Sequence, residues 1–185
     1  RKPAGRRILP NFGAVDFRCQ VFIGHNEVTD VPHEGGLVPF SADITDFVKE
    51  GENELVVLVW DPTYGIGAKG KQVFEPAGWN CTRMSGIWQT VWMETVPEAH
   101  VCGTRVTSDV DRREVTIDVS VERPGERLSV EFLDGLLVDS SAIVPSAKGY
   151  RVTAKLRNAR LWSPESPNLY RYRLTYGDDK VTGYF

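Results

Sequence analysis

With 185 residues, 41% of them hydrophobic and 25% charged, the chain has room for one large or two small domains and the make-up of a turn-rich globular protein, neither disordered nor fibrous. A formal charge of −3 leaves no surplus of cations to neutralise phosphates, and no Lys/Arg run is interleaved with aromatics, which argues against nucleic acid as a partner. Three scattered cysteines, Cys19, Cys81 and Cys102, are too few for a disulfide framework or a paired Cys-X-X-Cys metal site, and no apolar run approaches the roughly 20 residues of a membrane span.

The basic start, Arg1-Lys2-Pro3-Ala4-Gly5-Arg6-Arg7, lacks the apolar stretch of a signal peptide. The chain therefore reads as soluble, with the cytoplasm and secretion after signal removal both open as its compartment. Phe17-Arg18-Cys19-Gln20-Val21-Phe22-Ile23 alternates as a half-buried strand does, and Gly24-His25-Asn26 turns it back. Cys19 falls on the apolar side, where a free thiol behaves as a small hydrophobe. In Ser41–Gly51, Asp43 or Thr45 can cap one or two helical turns and Gly51 can end them in a left-handed conformation. Leu55-Val56-Val57-Leu58-Val59-Trp60 is apolar on both sides and predicts a central strand covered on each face.

A long loop then runs from Thr63 to Met84, with four glycines, one proline and the polar group Lys69-Gly70-Lys71-Gln72. Loops of that length inside a compact domain usually carry function or are disordered. Ser85-Gly86-Ile87-Trp88-Gln89-Thr90-Val91-Trp92-Met93-Glu94 follows as a two-faced strand, with Ile87, Val91 and Met93 on one side and Trp88, Thr90, Trp92 and Glu94 on the other. Val96-Pro97-Glu98 marks a boundary, predicting domains at 1–97 and 98–185. Beyond it come short strands at 101–107, 115–121, 128–133, 136–138, 150–156, 169–176 and 181–185, enough for an immunoglobulin-like sandwich. Glu114, Asp118 and Glu122 alternate with valines and read as a solvated face. Trp162, Leu169 and Tyr170, stiffened by Pro164 and Pro167, are expected to plug an open end of that second core.

The ordered set Asn11-Phe12-Gly13-Ala14-Val15-Asp16, His33-Glu34-Gly35-Gly36, Pro39-Phe40-Ser41-Ala42-Asp43-Ile44-Thr45, Glu52-Asn53-Glu54-Leu55 and the tryptophan strand closely resembles the sugar-binding jelly-roll domain of glycoside hydrolase family 2. Leu161-Trp162-Ser163-Pro164-Glu165-Ser166-Pro167-Asn168-Leu169-Tyr170 is similar to the end of the immunoglobulin-like domain of the same family. The resemblance spans about Arg7 to Phe185 and implies an all-β fold, a galactose-binding-like jelly-roll sandwich followed by an immunoglobulin-like one. It also implies further strands ahead of Arg7, so the first sandwich is expected to be incomplete or completed by a neighbour, with self-association through an exposed sheet edge.

Family 2 enzymes hydrolyse terminal β-linked sugars with retention, which needs two carboxylates about 5 Å apart. In the family these glutamates sit in a barrel, for which about 200 residues of alternating strand and helix are required and not found here. The resemblance thus implies no catalytic residue in this chain and two partners, a catalytic barrel of the same parent chain and carbohydrate; the residues themselves assign it no cofactor and no metal site, and metal use by the parent stays open. The histidines His25, His33 and His100 lie in turn or boundary contexts without a nucleophile elbow or a third metal ligand. For sugar contact the resemblance points to the loop before the tryptophan strand. Asn80 stands where β-galactosidases carry an acidic residue that meets substrate hydroxyls, Trp79 offers a stacking surface for a pyranose, and Arg83 is expected to lie over the Trp88 and Trp92 rings. A free-standing carbohydrate-binding module, or an adhesin-like structural pair, is the rival reading.

Overall fold

The computed structural model describes residues 4–62, 68 and 70–185. Residues 1–3 of the basic start, and 63–67 and 69 of the long loop, lie outside the described residues. Every regular element described is a strand, and no helix is long and apolar enough to cross a membrane. The chain divides into two compact units, Arg1–Val96 and Pro97–Phe185.

The first unit holds β1 (Arg6–Phe12), β2 (Val15–Asp16), β3 (Arg18–Ile23), β4 (Asn26–Glu27), β5 (His33–Glu34), β6 (Phe40–Ser41), β7 (Leu55–Trp60), β8 (Gly86–Ile87) and β9 (Val91–Pro97). They form sheets in the order β6-β1-β9 and β4-β3-β5, with β7 also on β3, and a β2-β8 pair. In β3 the alternation in the sequence becomes alternation in space: Cys19, Val21 and Ile23 are buried while Arg18 is exposed. Cys19 and Val21 join Phe12, Val15 and Ala42 in the core, with Val57 and Val59 of β7 and Phe40 packed against them. Fully burying a valine such as Val21 is worth about 1.5 kcal/mol.

Two expectations for this unit need correction. Ser41–Gly51 forms no regular helix, and of the one or two capped turns expected it closes one. In that turn Phe47 N and Val48 N both donate to Ile44 O at 3.0 and 3.2 Å, while the Asp43 carboxylate accepts from Thr45 N at 3.0 Å. A short polar side chain that satisfies the backbone two residues on competes with helix propagation. Nor is β7 covered on both faces: Val57 and Val59 pack inward, but Leu58 and Trp60 remain 58% and 53% exposed. Among the described residues β7 pairs with β3 alone, in the register Arg18↔Trp60 to Ile23↔Leu55.

The second unit comprises β10 (His100–Asp109), β11 (Glu114–Glu122), β12 (Leu128–Phe132), β13 (Val138–Ser146), β14 (Gly149–Leu156), β15 (Arg171–Tyr176) and β16 (Asp179–Tyr184). The sheets run β10-β11-β14-β13 and β12-β15-β16, the four-plus-three strand order of a constant-type immunoglobulin sandwich. Their inner faces meet in a core of Val115, Ile117, Val119, Leu128, Val152, Ala154, Tyr172, Leu174 and Tyr176. Strand β13 runs well past the expected 136–138. Asp139-Ser140-Ser141 lacks an alternating pattern, yet β14 recruits it through Ser141↔Ala154 and Ile143↔Val152. Of the expected plug, only Tyr170 packs on the core; Trp162 and Leu169 are exposed. Tyr170 is fixed at both ends, its backbone paired with Phe185 at 2.9 and 3.0 Å and its hydroxyl accepting from Arg160 N at 2.8 Å.

Candidate functional site

The dense sequence motifs of the first unit turn out to build a frame. In β1 and β6, Asn11 pairs with Ser41 and Phe12 with Phe40. The Ser41 hydroxyl donates to Asn11 Oδ1 at 2.5 Å. His33 stacks on Phe40 at 4.1 Å and Phe40 on Phe12 at 4.8 Å, so this histidine is one ring of a three-ring stack. The glycine run beside it is required by close approach, since a Cβ on Gly36 would collide with the Asp16 carboxylate. Trp88 then locks the frame to the tryptophan segment, its indole N–H donating to Gly36 O at 2.7 Å.

That segment is two strands, not one. Trp88-Gln89-Thr90 breaks β8 from β9, with Gly13 N donating to Thr90 O at 2.9 Å. Trp92 keeps the face assigned from the alternation, and its indole N–H donates to Glu94 Oε1 at 3.0 Å. The long loop leaves and rejoins this frame at one place: Ser85 Oγ at its end donates to Asp61 Oδ2 at its start, 2.6 Å away. Burial and the neighbouring Asp61 carboxylate raise the Asp16 pKa above the ordinary carboxylate range. An acid raised in the folded state is most stabilising when protonated, so this group's contribution falls as pH rises through its folded pKa.

Between those ends the loop braces itself. Cys81 N donates to Lys71 O at 2.9 Å, Val73 N to Cys81 O at 3.2 Å, and Met84 N to the Gln72 carboxamide at 2.5 Å. A further turn closes from Asn80 N to Ala77 O at 3.2 Å and presents Trp79 to solvent, 73% exposed. Trp79 and Asn80 thus stand side by side, with Asn80 half-buried. Arg83 is placed differently from the expectation: its guanidinium lies 4.2 Å from the centroid of the Phe74 ring, not over Trp88 or Trp92. Trp79 has a cation of its own over its ring, Lys71 Nζ 5.1 Å from the centroid. The sequence marks Lys71 and Gln72 only as part of a polar group and Phe74 not at all, because loop residues eight or nine apart share no periodicity that would reveal their partners.

Other polar groups have structural partners. The Asp118 carboxyl is held below its ordinary pKa by the hydrogen bond from Arg151, and that of Asp134 by the hydrogen bonds from Arg171. Buried His100 has Nδ1 2.9 Å from Pro97 O, so that nitrogen carries the proton. Partial desolvation of the exposed Cys102 side chain, together with the Glu122 carboxylate, pushes its thiol up to about 11, so that it stays protonated at neutral pH. Among the described residues no three His, Cys, Asp or Glu side chains gather as a metal site.

The fold and these motifs can be set against known proteins. Residues 3–97 match the family model "Glycosyl hydrolases family 2, sugar binding domain", and residues 99–183 the model "Glycosyl hydrolases family 2". A beta-galactosidase of Halalkalibacterium halodurans is 27% identical over 87% of this chain, and a beta-glucuronidase of Rattus norvegicus 26% identical over 86%. The chain spans 15% of the length of the first and 27% of the second. Among solved structures, the Ruminococcus gnavus beta-glucuronidase superposes with a TM-score of 0.67 at 23% identity, over 98% of this chain and 32% of that one, a likeness of fold. With two family models matched in succession across almost every residue, and the two sandwiches those models describe, the chain belongs to glycoside hydrolase family 2.

Proposed function

We propose that this chain is a non-catalytic portion of a β-glycosidase, comprising residues 1–97 as sugar-binding sandwich and 98–185 as immunoglobulin-like sandwich. Its parent hydrolyses a terminal β-linked sugar, as the beta-galactosidase and beta-glucuronidase relatives are named for doing. The reacting carboxylates come from a catalytic barrel of the same parent polypeptide, and the sandwiches support that barrel. The carrying observation is the uninterrupted succession of the two family models. The loop bearing Trp79, Asn80 and Arg83 edges the substrate pocket, with Trp79 as the stacking surface and Asn80 as the hydroxyl partner.

Retaining hydrolysis needs a nucleophile and an acid about 5 Å apart on either side of the scissile bond. Among the described residues, the carboxylates with lowered pKa values, Asp118 and Asp134, owe the shift to arginine partners, and the raised Asp16 owes it to burial and the neighbouring Asp61. Incubated with 4-nitrophenyl β-D-galactoside, β-D-glucuronide and β-D-mannoside, the chain is expected to release no nitrophenol above the buffer rate. Turnover that co-purifies with the chain and saturates with substrate would overturn the assignment.

A further inference from the structure

Strands at the edge of a sheet are ordinarily blunted against pairing with another chain, by shortness, by a charge or by proline. Among the described residues every sheet edge but one follows that rule. Strands β2, β4, β5, β6 and β8 are two residues long, and the longer edges carry an ionised side chain: Glu94 in β9, Arg105 in β10, Glu131 in β12, Asp139 in β13 and Lys180 in β16. The exception is β7. Leu55-Val56-Val57-Leu58-Val59-Trp60 holds no charge, no proline and no glycine, and among the described residues it pairs along one side alone, with β3. Six apolar residues of high β-propensity without a charge are also the composition of segments that pair with copies of themselves.

The two rows of β7 differ. Val57 and Val59 pack on the core cluster, while Val56, Leu58 and Trp60 stand exposed on the opposite face, across from Phe22, Gln20 and Arg18 of β3. A strand laid along the open edge has to meet two demands at once, backbone groups for the ladder and apolar side chains on that outer face. A second β7 meets both. Turned about a two-fold axis that passes through Leu58 perpendicular to the sheet, it runs antiparallel to the first and keeps the same face outward. Leu58 then meets Leu58 of the second copy, Val56 meets Trp60 and Val57 meets Val59, so an aromatic faces a β-branched side chain on the outer face and valine faces valine on the inner one. Such a contact is isologous, uses each edge once and closes as a pair. We propose that the β7 edge is an interface between two copies of this chain, joined antiparallel about Leu58 into one continuous sheet. Six residues extend about 20 Å, and a ribbon of that length buries less than the roughly 1,200 Å² of a standard interface, which makes the dimer weak and reversible. The acidic residues flanking the strand, Glu54 and Asp61, approach those of the second copy at the two ends and weaken it further at low salt. The pairing stands apart from the sugar-binding reading, whose failure would leave it untouched.

The test is cross-linking of the 185-residue chain, with its exposed cysteines replaced by Cys81→Ser and Cys102→Ser and new cysteines placed on β7. Directly opposed residues of an antiparallel pair have Cα atoms about 4.5–5.5 Å apart, within disulfide reach, whereas positions four residues out of register are about 14 Å apart. Under mild oxidation Leu58→Cys is expected to link to itself, while Val56→Cys and Trp60→Cys each stay monomeric alone and link when mixed. Sedimentation of the unaltered chain should show a dimer fraction that rises with concentration and, through screening, with salt. Leu58→Lys, which sets two like charges face to face, should raise the dissociation constant about tenfold or more. Because Leu58 is exposed, that variant is expected to keep the urea midpoint of the unaltered chain; if it unfolds, the cysteine pairs decide alone. Self-linking of Val56→Cys, or a dimer that a folded Leu58→Lys leaves intact, would put the contact in another register or on another surface and overturn the proposal. A monomer at every concentration overturns it too, and protection of the β7 amides from exchange in that monomer would give the edge to another part of the same chain.

Discussion

Gly183 shows how little a sequence reveals of why a particular residue is needed. It lies in β16 directly across from Tyr172, whose ring is fully buried and whose hydroxyl donates to Thr104 Oγ1 at 3.1 Å. A Cβ on Gly183 would fall 2.9 Å from Tyr172 Cε1 and nearer still to the hydroxyl end of the ring. The backbone there is ordinary strand, so the constraint is space. Gly183→Ala should cost about 1–3 kcal/mol by overpacking, seen as a lower urea midpoint; an unchanged midpoint would mean that the ring swings aside freely. Cys102 gives a prediction in the other direction. The thiol is exposed, but partial desolvation and the Glu122 carboxylate raise its pKa to about 11, so its thiolate is scarce until strongly alkaline pH. Alkylation of Cys102 by iodoacetamide at pH 8 should run about 100-fold slower than that of free cysteine, and Glu122→Gln should speed it. Peptide mass spectrometry over time resolves the site, and labelling as fast as free cysteine would refute the account.

At the scale of elements, β7 departs most from its sequence. A run of six apolar residues reads as a strand buried on both faces, but only the row facing the core cluster is covered. The other row, Val56, Leu58 and Trp60, is open, and it runs along a strand with one pairing partner among the described residues. Unpaired backbone groups beside exposed apolar side chains invite another strand. The chain by itself is therefore expected to self-associate: light scattering should give an apparent mass that climbs with concentration, and Leu58→Lys, a charge on the edge, should lower it. A monomer at every concentration would refute the expectation. The loop from Thr63 to Met84 is the opposite case, an element without a pattern that nonetheless acquires order from its own hydrogen bonds. Its length and composition point to function or disorder, and the adjacency of Trp79 and Asn80 is legible because they are neighbours in sequence. The pairing of Lys71 with Trp79 and of Arg83 with Phe74 is not.

For the molecule as a whole, two separate apolar cores underlie two units, and in each of them several strands pair with partners distant in sequence, such as β2 with β8 and β12 with β15. Alternation of buried and exposed residues has a period of two and is local, so β3, β11, β14 and β15 could be read directly from the residues. The same locality makes the ordered motifs of family 2 recognisable, and with them the all-β class and the succession of a jelly-roll and an immunoglobulin-like sandwich. The function proposed at this scale, sugar contact without turnover, rests on the two matched family models and the braced aromatic loop. Sequence alone determined most of the segments that become strands and which family the order of motifs belongs to, since each depends on residues a few positions apart, but not the length of β13 or the break between β8 and β9. Tertiary structure decided which face of β7 is covered, that Ser41–Gly51 stays a turn, that His33 is a stacking ring and which cation meets which aromatic. Those outcomes depend on atoms brought together from distant positions, where burial and close packing, and not local pattern, set the free energy.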